Sequence, residues 1–528
     1  MSKSVVVVGG GIGGIATAGL LARDGYDVTL VEAHARLGGR AGLWEKDGFR
    51  FDTGPSWYLM PEVFDHWYKL MGSSAEEHLK LTKLDPGYRV YFEPQGGKDA
   101  EVVDVRASRE ENLALLEEIE PGSRATMEKY LDSAKETYEI AKEYFLYTSF
   151  QSLRTLLVPA VLKRVGTLFR LLTTPIMTFA KRHTKNPKIQ QLLGYPAVFL
   201  GSSPYIAPSM FHLMSYLDLE DGVLYAEGGF TRVIESMRDI IEDHGVTVLT
   251  HARVSSINTE KRSGKAHATG VTYEDSHGVS HTVSADFVVS TTDLHHSETT
   301  LLPNELQTYP QSYWDKKVAG PSAVLLYLGV KGEVPELLHH TLFFTEDWED
   351  NFSKIFADNP TVPNPASLYV CKPSATDSSV APEGHTNLFV LVPMPADVSL
   401  GKGGLDGSGD SAVEAIADRA IAQIAQWSGA SDLAERIVVR RSVGPGDFQA
   451  DLNAWMGTAL GPAHTLMQSA LFRSGNVSKK VDGLYYAGSS TIPGIGLPMC
   501  LISAEVLVKR VRGDVSTSPL AEPLVPVG

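Results

Sequence analysis

Six residues near the start of the chain, Gly9-Gly10-Gly11-Ile12-Gly13-Gly14, constrain its fold more than any others. The segment before them, Ser4 to Val8, is rich in valine and reads as a buried strand. Ile12 to Arg23 reads as a helix, and Asp27 to Glu32 as a second strand ending on a carboxylate. Glycines 9, 11 and 14 have GxGxxG spacing, with Gly13 in the same turn. Strand, turn, helix, strand and acid fall in the order that a dinucleotide requires. Gly9 permits a tight turn, Gly11 lets a pyrophosphate approach the backbone, and Gly14 lets helix and strand pack closely. The helix N-terminus offers free N–H groups and partial positive charge to phosphate. Glu32 can accept hydrogen bonds from both hydroxyls of an adenosine ribose and would repel a 2′-phosphate, which disfavours NADP.

The stretch Ser4 to Ala22 carries no charge and is long enough to pass for a membrane span or a signal peptide. Both readings are rejected, because six of its residues are glycine and no cleavage site follows. The 528 residues carry 47 Lys+Arg and 63 Asp+Glu, a net charge of −16, with 43% hydrophobic and 21% charged residues. That balance excludes a disordered chain, a collagen and a multi-span membrane protein, and the length calls for more than one domain. Acidity argues against nucleic acid as a partner. Cys371 and Cys500 lie far apart without CxxC or zinc-ligand spacing, so reduced thiols and a cytoplasmic setting are expected.

Arg36-Leu37-Gly38-Gly39-Arg40 brings a second glycine pair and a guanidinium toward the same pyrophosphate. Phe49 to Pro55 then reads as a strand entering a turn. Near the other end, Gly483 to Gly488 reads as a strand closing on a glycine turn. Pro493-Gly494-Ile495-Gly496-Leu497-Pro498 leads from there into a helix, Met499 to Arg512. Lys509, Arg510 and Arg512 sit where the helix dipole favours cations.

With both ends in view the chain resembles the bacterial-type phytoene desaturases, a carotenoid-forming branch of the flavin-containing amine oxidase superfamily. The resemblance covers nearly the whole length. It is carried by Gly54-Pro55-Ser56-Trp57-Tyr58-Leu59-Met60-Pro61, Gly228-Gly229-Phe230, Asp447-Phe448, Leu466 to Arg473 and the C-terminal segment. Tyr195-Pro196-Ala197-Val198-Phe199-Leu200 is similar to the actinobacterial type. The resemblance implies FAD. Its site would comprise Gly9, Gly11, Gly13, Gly14, Glu32, Gly38, Gly39, Arg40, Gly54, Pro55 and Ser56, then Val254 (through its backbone, to the adenine), Gly488, Ser489, Gly496, Leu497 and Pro498. Many desaturases carry a histidine before the proline of the C-terminal motif, where this chain has Ile492. A mechanism relying on that histidine is therefore not carried over.

The implied fold is α/β. A Rossmann-type FAD-binding domain is assembled from residues 1–70, 222–300 and 444–512. An inserted substrate domain with a mixed sheet (301–443) and a helical membrane-facing region (71–221) complete it. Residues 513–528 read as a flexible tail, and Leu400 to Ser411 as a flexible polar loop.

From Tyr144 to Leu217 there is no Asp or Glu, yet there are eight basic residues, Lys163, Arg164 and Arg170 among them. Apolar residues recur at helical spacing: Leu153, Leu156, Leu157, then Val161, Leu162, Val165, Leu168 and Phe169. A basic amphipathic helix of this kind docks on a membrane surface; the same pattern also serves a helical subdomain that buries its apolar face internally.

No Ser-His-Asp constellation, HExxH or P-loop is present, and the catalytic residues stay open. Adjacent histidines in a strand point to opposite faces, so neither His295-His296 nor His339-His340 is a natural chelate, and no metal is expected. Trp57-Tyr58 lines a substrate channel or packs in the core. By resemblance the substrate is phytoene, desaturated to lycopene or a less desaturated intermediate by hydride transfer to the flavin. Oxygen or a membrane quinone would reoxidise it, with the enzyme peripherally membrane-associated. The alternatives are another carotenoid desaturase or isomerase, an amine-oxidase-like flavoenzyme, or a non-enzymatic prenyl-binding module.

Overall fold

The computed structural model of this chain describes residues 2–152 and 158–526. Leu153, Arg154, Leu156 and Leu157 of the acid-free segment lie outside the described residues. β1 (Ser4–Val8), α1 (Ile12–Arg23) and β2 (Asp27–Val31) form as the periodicity predicts. β1 is the central strand of a five-stranded parallel sheet in the order Leu484–Tyr486, Phe287–Ser290, β1, β2, Thr247–Leu249. Val6 pairs with Val288 on one side and Thr29 on the other. A strand covered on both faces must be apolar along its whole length, and Val5 to Val8 are all buried. α1 and the C-terminal helix, Leu497–Arg512, share one core, Ile15 and Leu20 packing with Leu501, Ala504 and Leu507.

A seven-stranded mixed sheet forms the second unit. Its order is Ile437–Val443, Ser322–Lys331, His385–Met394, Leu368–Cys371, His340–Phe344, Tyr88–Phe92, Glu101–Val105. Two assigned boundaries are corrected here. Residues 71–221 are not only helical: Tyr88–Phe92 and Glu101–Val105 complete this sheet, with Tyr88, Val90, Val103 and Val105 turned into the core. Conversely, the start of the 301–443 segment belongs to the nucleotide side, since Leu301, Leu302, Tyr309 and Trp314 pack with Val6, Val8 and Val31.

The acid-free segment contains two short helices, Pro159–Leu162 and Val165–Thr173. Leu162, Val165 and Phe169 are 52%, 51% and 67% exposed, so this apolar row is not turned inward. The helix is fastened below by Ser209, whose N–H donates to Thr174 O (2.6 Å) and whose hydroxyl donates to Leu171 O (3.0 Å). Among the described residues no helix is long and apolar enough to cross a membrane.

The tail and the polar loop are held, in contrast to the expectation from their composition. The fully buried Lys509 ammonium donates to the carbonyls of Tyr147 (2.7 Å), Ser516 (2.8 Å) and Ser518 (2.7 Å). Arg512 pairs with Asp24, and Leu524 is buried with its N–H on Leu70 O (3.0 Å). The basic residues at the helix end therefore act through specific partners as well as the dipole. In the 400–411 loop, Gly403 N–H donates to Asp447 Oδ2 (2.7 Å) and Gly404 N–H to Ser442 Oγ (2.8 Å).

His66 also ties the tail, between Glu505 (3.0 Å) and Glu522. Burial by itself lowers the His66 pKa, but hydrogen bonding to the two carboxylates outweighs burial and raises it above the ordinary value. This contribution to stability is fully present below the unfolded value, about pH 6.5, and is lost as pH rises through the raised folded value. Thermal melts of wild type and His66→Gln between about pH 5.5 and 9 should show a gap widest at the acid end that narrows with rising pH. A gap independent of pH would remove charge from the account.

Candidate active site

A cavity of about 1200 Å³ opens where β1 ends and runs from the glycine turn to an aromatic wall. All the residues assigned from the sequence to the cofactor site line it except Gly14. Gly14 lies behind the turn: a Cβ there would stand 1.9 Å from Gly9 O, so only glycine lets α1 approach the strand end. Gly11 is the opposite case, since a Cβ would have no neighbour nearer than Gly38 O at 4.0 Å and would point into free space. Gly11 caps α1 with no side-chain hydrogen bond, and no acid occupies the first turn. The C-terminal helix repeats the pattern, capped by Gly496 and free of acid in its first turn. Gly13 seats α1 against the C-terminal segment, a Cβ there reaching 3.3 Å from Gly488 Cα in the preceding turn and 3.6 Å from Cys500 Cβ on the helix. Two uncapped positive helix ends thus face one cavity.

Glu32 directly follows β2, one position past the strand end, and is 6% exposed. Its Oε2 accepts from Gly10 N–H (2.6 Å) and its Oε1 from His34 N–H (2.8 Å). The backbone fixes the carboxylate, and each oxygen keeps a second lone pair for a ribose hydroxyl. Arg40 donates Nε to Ala459 O (2.7 Å). Burial lowers its pKa, and among the described residues it forms no ion pair. A half-buried guanidinium without a carboxylate, on a cavity wall, suits an anionic ligand. Val254 lines the cavity on the Arg253–Arg262 strand, next to a bulge in its pairing.

Ser489 faces the cavity from the C-terminal loop, and Arg473 holds that loop from behind. The Arg473 guanidinium, wholly buried, donates to Ser489 O (2.5 Å), Thr491 O (3.0 Å) and Gln468 O (3.1 Å). Burial pushes its pKa down to about 10. The sequence marked Arg473 only within the resemblance; its three carbonyl partners, two in the Ser489–Thr491 loop and one at Gln468, become visible only in the fold. Ile492 is buried in the core, and the histidine closest to Gly494 is His464.

The far end of the cavity is aromatic and apolar. Trp57 stacks on His340 (4.6 Å between centroids, 16°) and lies 5.1 Å from the Phe199 ring. Tyr58 does not line the cavity; it stacks on Phe64 in the core, so the Trp57-Tyr58 pair divides between the two roles. Ser56 Oγ and Tyr369 Oη are 2.6 Å apart on the wall, and His340 Nδ1 is 2.7 Å from Tyr369 Oη. Asp218, which nothing in the sequence signalled, is buried with Tyr88 OH donating to it (2.9 Å), and burial pushes its pKa up to about 7. The histidine pairs differ from expectation. His295 and His296 sit on a short helix, Leu294–Thr299, rather than a strand. His339 and His340 converge with Cys371.

Residues 12–511 match the family described as flavin containing amine oxidoreductase. A carotenoid 3,4-desaturase of Haloarcula japonica is 41% identical over 97% of this chain and 99% of its own length. A phytoene desaturase of Fusarium fujikuroi is 31% identical over 97% of this chain and 90% of its own. Among solved structures, a putrescine oxidase variant superposes with a TM-score of 0.61 at 14% identity, covering 98% of this chain and 99% of its own, which shows the shared fold.

The cofactor is FAD, and the cavity suits it: two uncapped helix ends, a half-buried guanidinium without a carboxylate partner and an anchored carboxylate line its wall. Arg40→Met should weaken FAD binding by about tenfold or more while leaving the fold intact. Flavin fluorescence titration of the apoprotein, with circular dichroism as control, checks it. Unchanged affinity would take Arg40 out of the site.

Proposed function

We propose that this chain, which belongs to the flavin containing amine oxidoreductase family, is an FAD-dependent desaturase of long acyclic carotenoids, acting on phytoene or on a later member of the same series. The observation that carries the reading is the continuity of two chemically different spaces in one cavity, a polar dinucleotide cradle and an apolar, aromatic-walled arm. FAD supplies a two-electron acceptor. The chain's own residues bind, orient and exclude water. Trp57, Phe199 and Leu200 line the arm with apolar surface that a polyene covers and a small amine does not. The relatives named above as carotenoid desaturases support the substrate class.

Identity of 41% to a 3,4-desaturase, against 31% to a phytoene desaturase, favours a second reading in which the substrate is already a coloured polyene. Expression in two hosts separates them, one accumulating phytoene and one accumulating lycopene, with pigments resolved by chromatography. New chromophores in the first host support phytoene desaturation. A product longer in conjugation than lycopene in the second supports 3,4-desaturation. Flavin-loaded protein that changes neither pigment would overturn both.

We further propose that the enzyme docks on a membrane through the Pro159–Leu162 and Val165–Thr173 helices. The exposed Leu162, Val165 and Phe169 would enter the acyl boundary and Lys163 and Arg170 would meet anionic headgroups. Ser209 links this surface to the 209–213 turn, whose Phe211 and Leu213 line the cavity, giving an apolar substrate a short route inward. Each basic residue near such a surface contributes about 1 kcal/mol. The double variant Lys163→Glu, Arg170→Glu should therefore lose at least tenfold in binding to anionic vesicles by flotation, and equal flotation would remove the docking surface.

A further inference from the structure

We propose that His339, His340 and Cys371 form a binding site for a soft d10 cation, zinc or monovalent copper, in the buried layer behind the cavity wall. The proposal stands independently of the substrate assigned above. In an extended strand, neighbouring histidines face apart. Here His339 precedes the His340–Phe344 strand, and its ring meets the His340 ring edge to face with centroids 4.6 Å apart. Cys371 lies directly opposite His340 across the antiparallel pair with Leu368–Cys371. One ligand atom from each of the three residues, the sulfur included, stands within 4.8 Å of the others, and all three residues are buried.

The second observation is the state of the ring nitrogens. The Nε2 atoms of both His339 and His340 are buried without a hydrogen-bond partner. Buried polar atoms in that condition are rare in folded proteins and call for a ligand. Both Nδ1 atoms, in contrast, are occupied: His339 Nδ1 lies 2.7 Å from Thr376 Oγ1, and His340 Nδ1 2.7 Å from Tyr369 Oη. With Nδ1–H donated to these hydroxyls, each Nε2 presents a lone pair. Metal-bound imidazoles are held in this way, an outer acceptor fixing tautomer and ring orientation.

Two imidazoles and a thiol suit zinc or copper, not magnesium or calcium. Bonds of about 2.0–2.1 Å to nitrogen and 2.3 Å to sulfur place ligand atoms about 3.5–3.8 Å apart. The three groups therefore need to close by no more than about 1.3 Å, which side-chain rotation provides. On binding, the Cys371 S–H bond breaks and a sulfur–metal bond forms; the proton leaves to solvent and no electron is transferred. A monovalent ion leaves the set neutral. A divalent ion leaves one positive charge, which the carboxylates of Asp52 and Asp377 face from the Cys371 and His339 sides and Lys372 opposes. Tyr369 lines the cavity and is bonded to His340, so a bound ion would stiffen the cavity wall without entering it.

The test uses the flavin-loaded full chain purified without chelator. Metal content measured by mass spectrometry against flavin should give about one zinc or copper per chain. After chelator treatment, titration with cobalt(II) should produce a thiolate-to-cobalt charge-transfer band. That band should be lost in Cys371→Ser and weakened at least tenfold in His339→Gln, with flavin content unchanged in both. X-ray absorption on the wild type needs no variant and should show one sulfur and two nitrogens around the ion. Metal below about a tenth of an equivalent after incubation with excess zinc and copper(I) would overturn the proposal, as would a coordination shell without sulfur or a cobalt band that survives in Cys371→Ser.

Discussion

The Phe287–Ser290 strand sits between β1 and Leu484–Tyr486, and the rest of the molecule depends on that insertion. Parallel pairing on both sides places the carboxyl ends of three strands from distant parts of the chain side by side. Each terminal strand is followed by a glycine turn and a helix, so the two helix N-termini open into the same space. Gly13 lets α1 close on the Gly488 turn and on Cys500 of the C-terminal helix. Bulk at Gly13 would push the two helices apart, and the electrostatic advantage of two positive poles on one cavity would go with it.

Around this joint, charge is handled by buried cations on backbone carbonyls. Arg473 gathers the loop behind Ser489, and Lys509 gathers Tyr147 and the tail. Each is a cation whose desolvation is offset by carbonyl acceptors rather than by a carboxylate. The arrangement fixes loops without adding negative charge near the place where a pyrophosphate binds. Arg40 is the exception that marks the site, half-buried and facing the cavity with one carbonyl partner.

The larger mixed sheet supplies the other wall. Its strands bring Tyr369 and His340 beneath Trp57, and the inserted helical region closes over the apolar arm with Tyr195 and Phe199. The long hydrocarbon proposed as substrate has no hydrogen bonds with which to orient itself, so shape and apolar area would position it against the flavin. Leu162, Val165 and Phe169 of the same inserted region expose apolar surface to solvent.

The local part of the site was legible in the sequence because it is written in backbone requirements. Glycine spacing, a valine-rich strand and an acid at the next strand end each report on neighbours within about thirty residues, and the cavity collects all of those positions except Gly14, whose role is packing. The pairing of the two chain ends was also anticipated, since neither motif completes a cofactor cradle alone. What the sequence could not contain were contacts whose partners lie hundreds of residues apart and follow no period. Tyr88–Phe92 joined the mixed sheet because its parallel partner is His340–Phe344, and polar composition hid a tail that Lys509 and His66 hold down. His339, His340 and Cys371 came together because a strand began one residue later than the histidine pair and another strand lay opposite it. Period and spacing determine local conformation; only strand register and burial decide which distant side chains share a space.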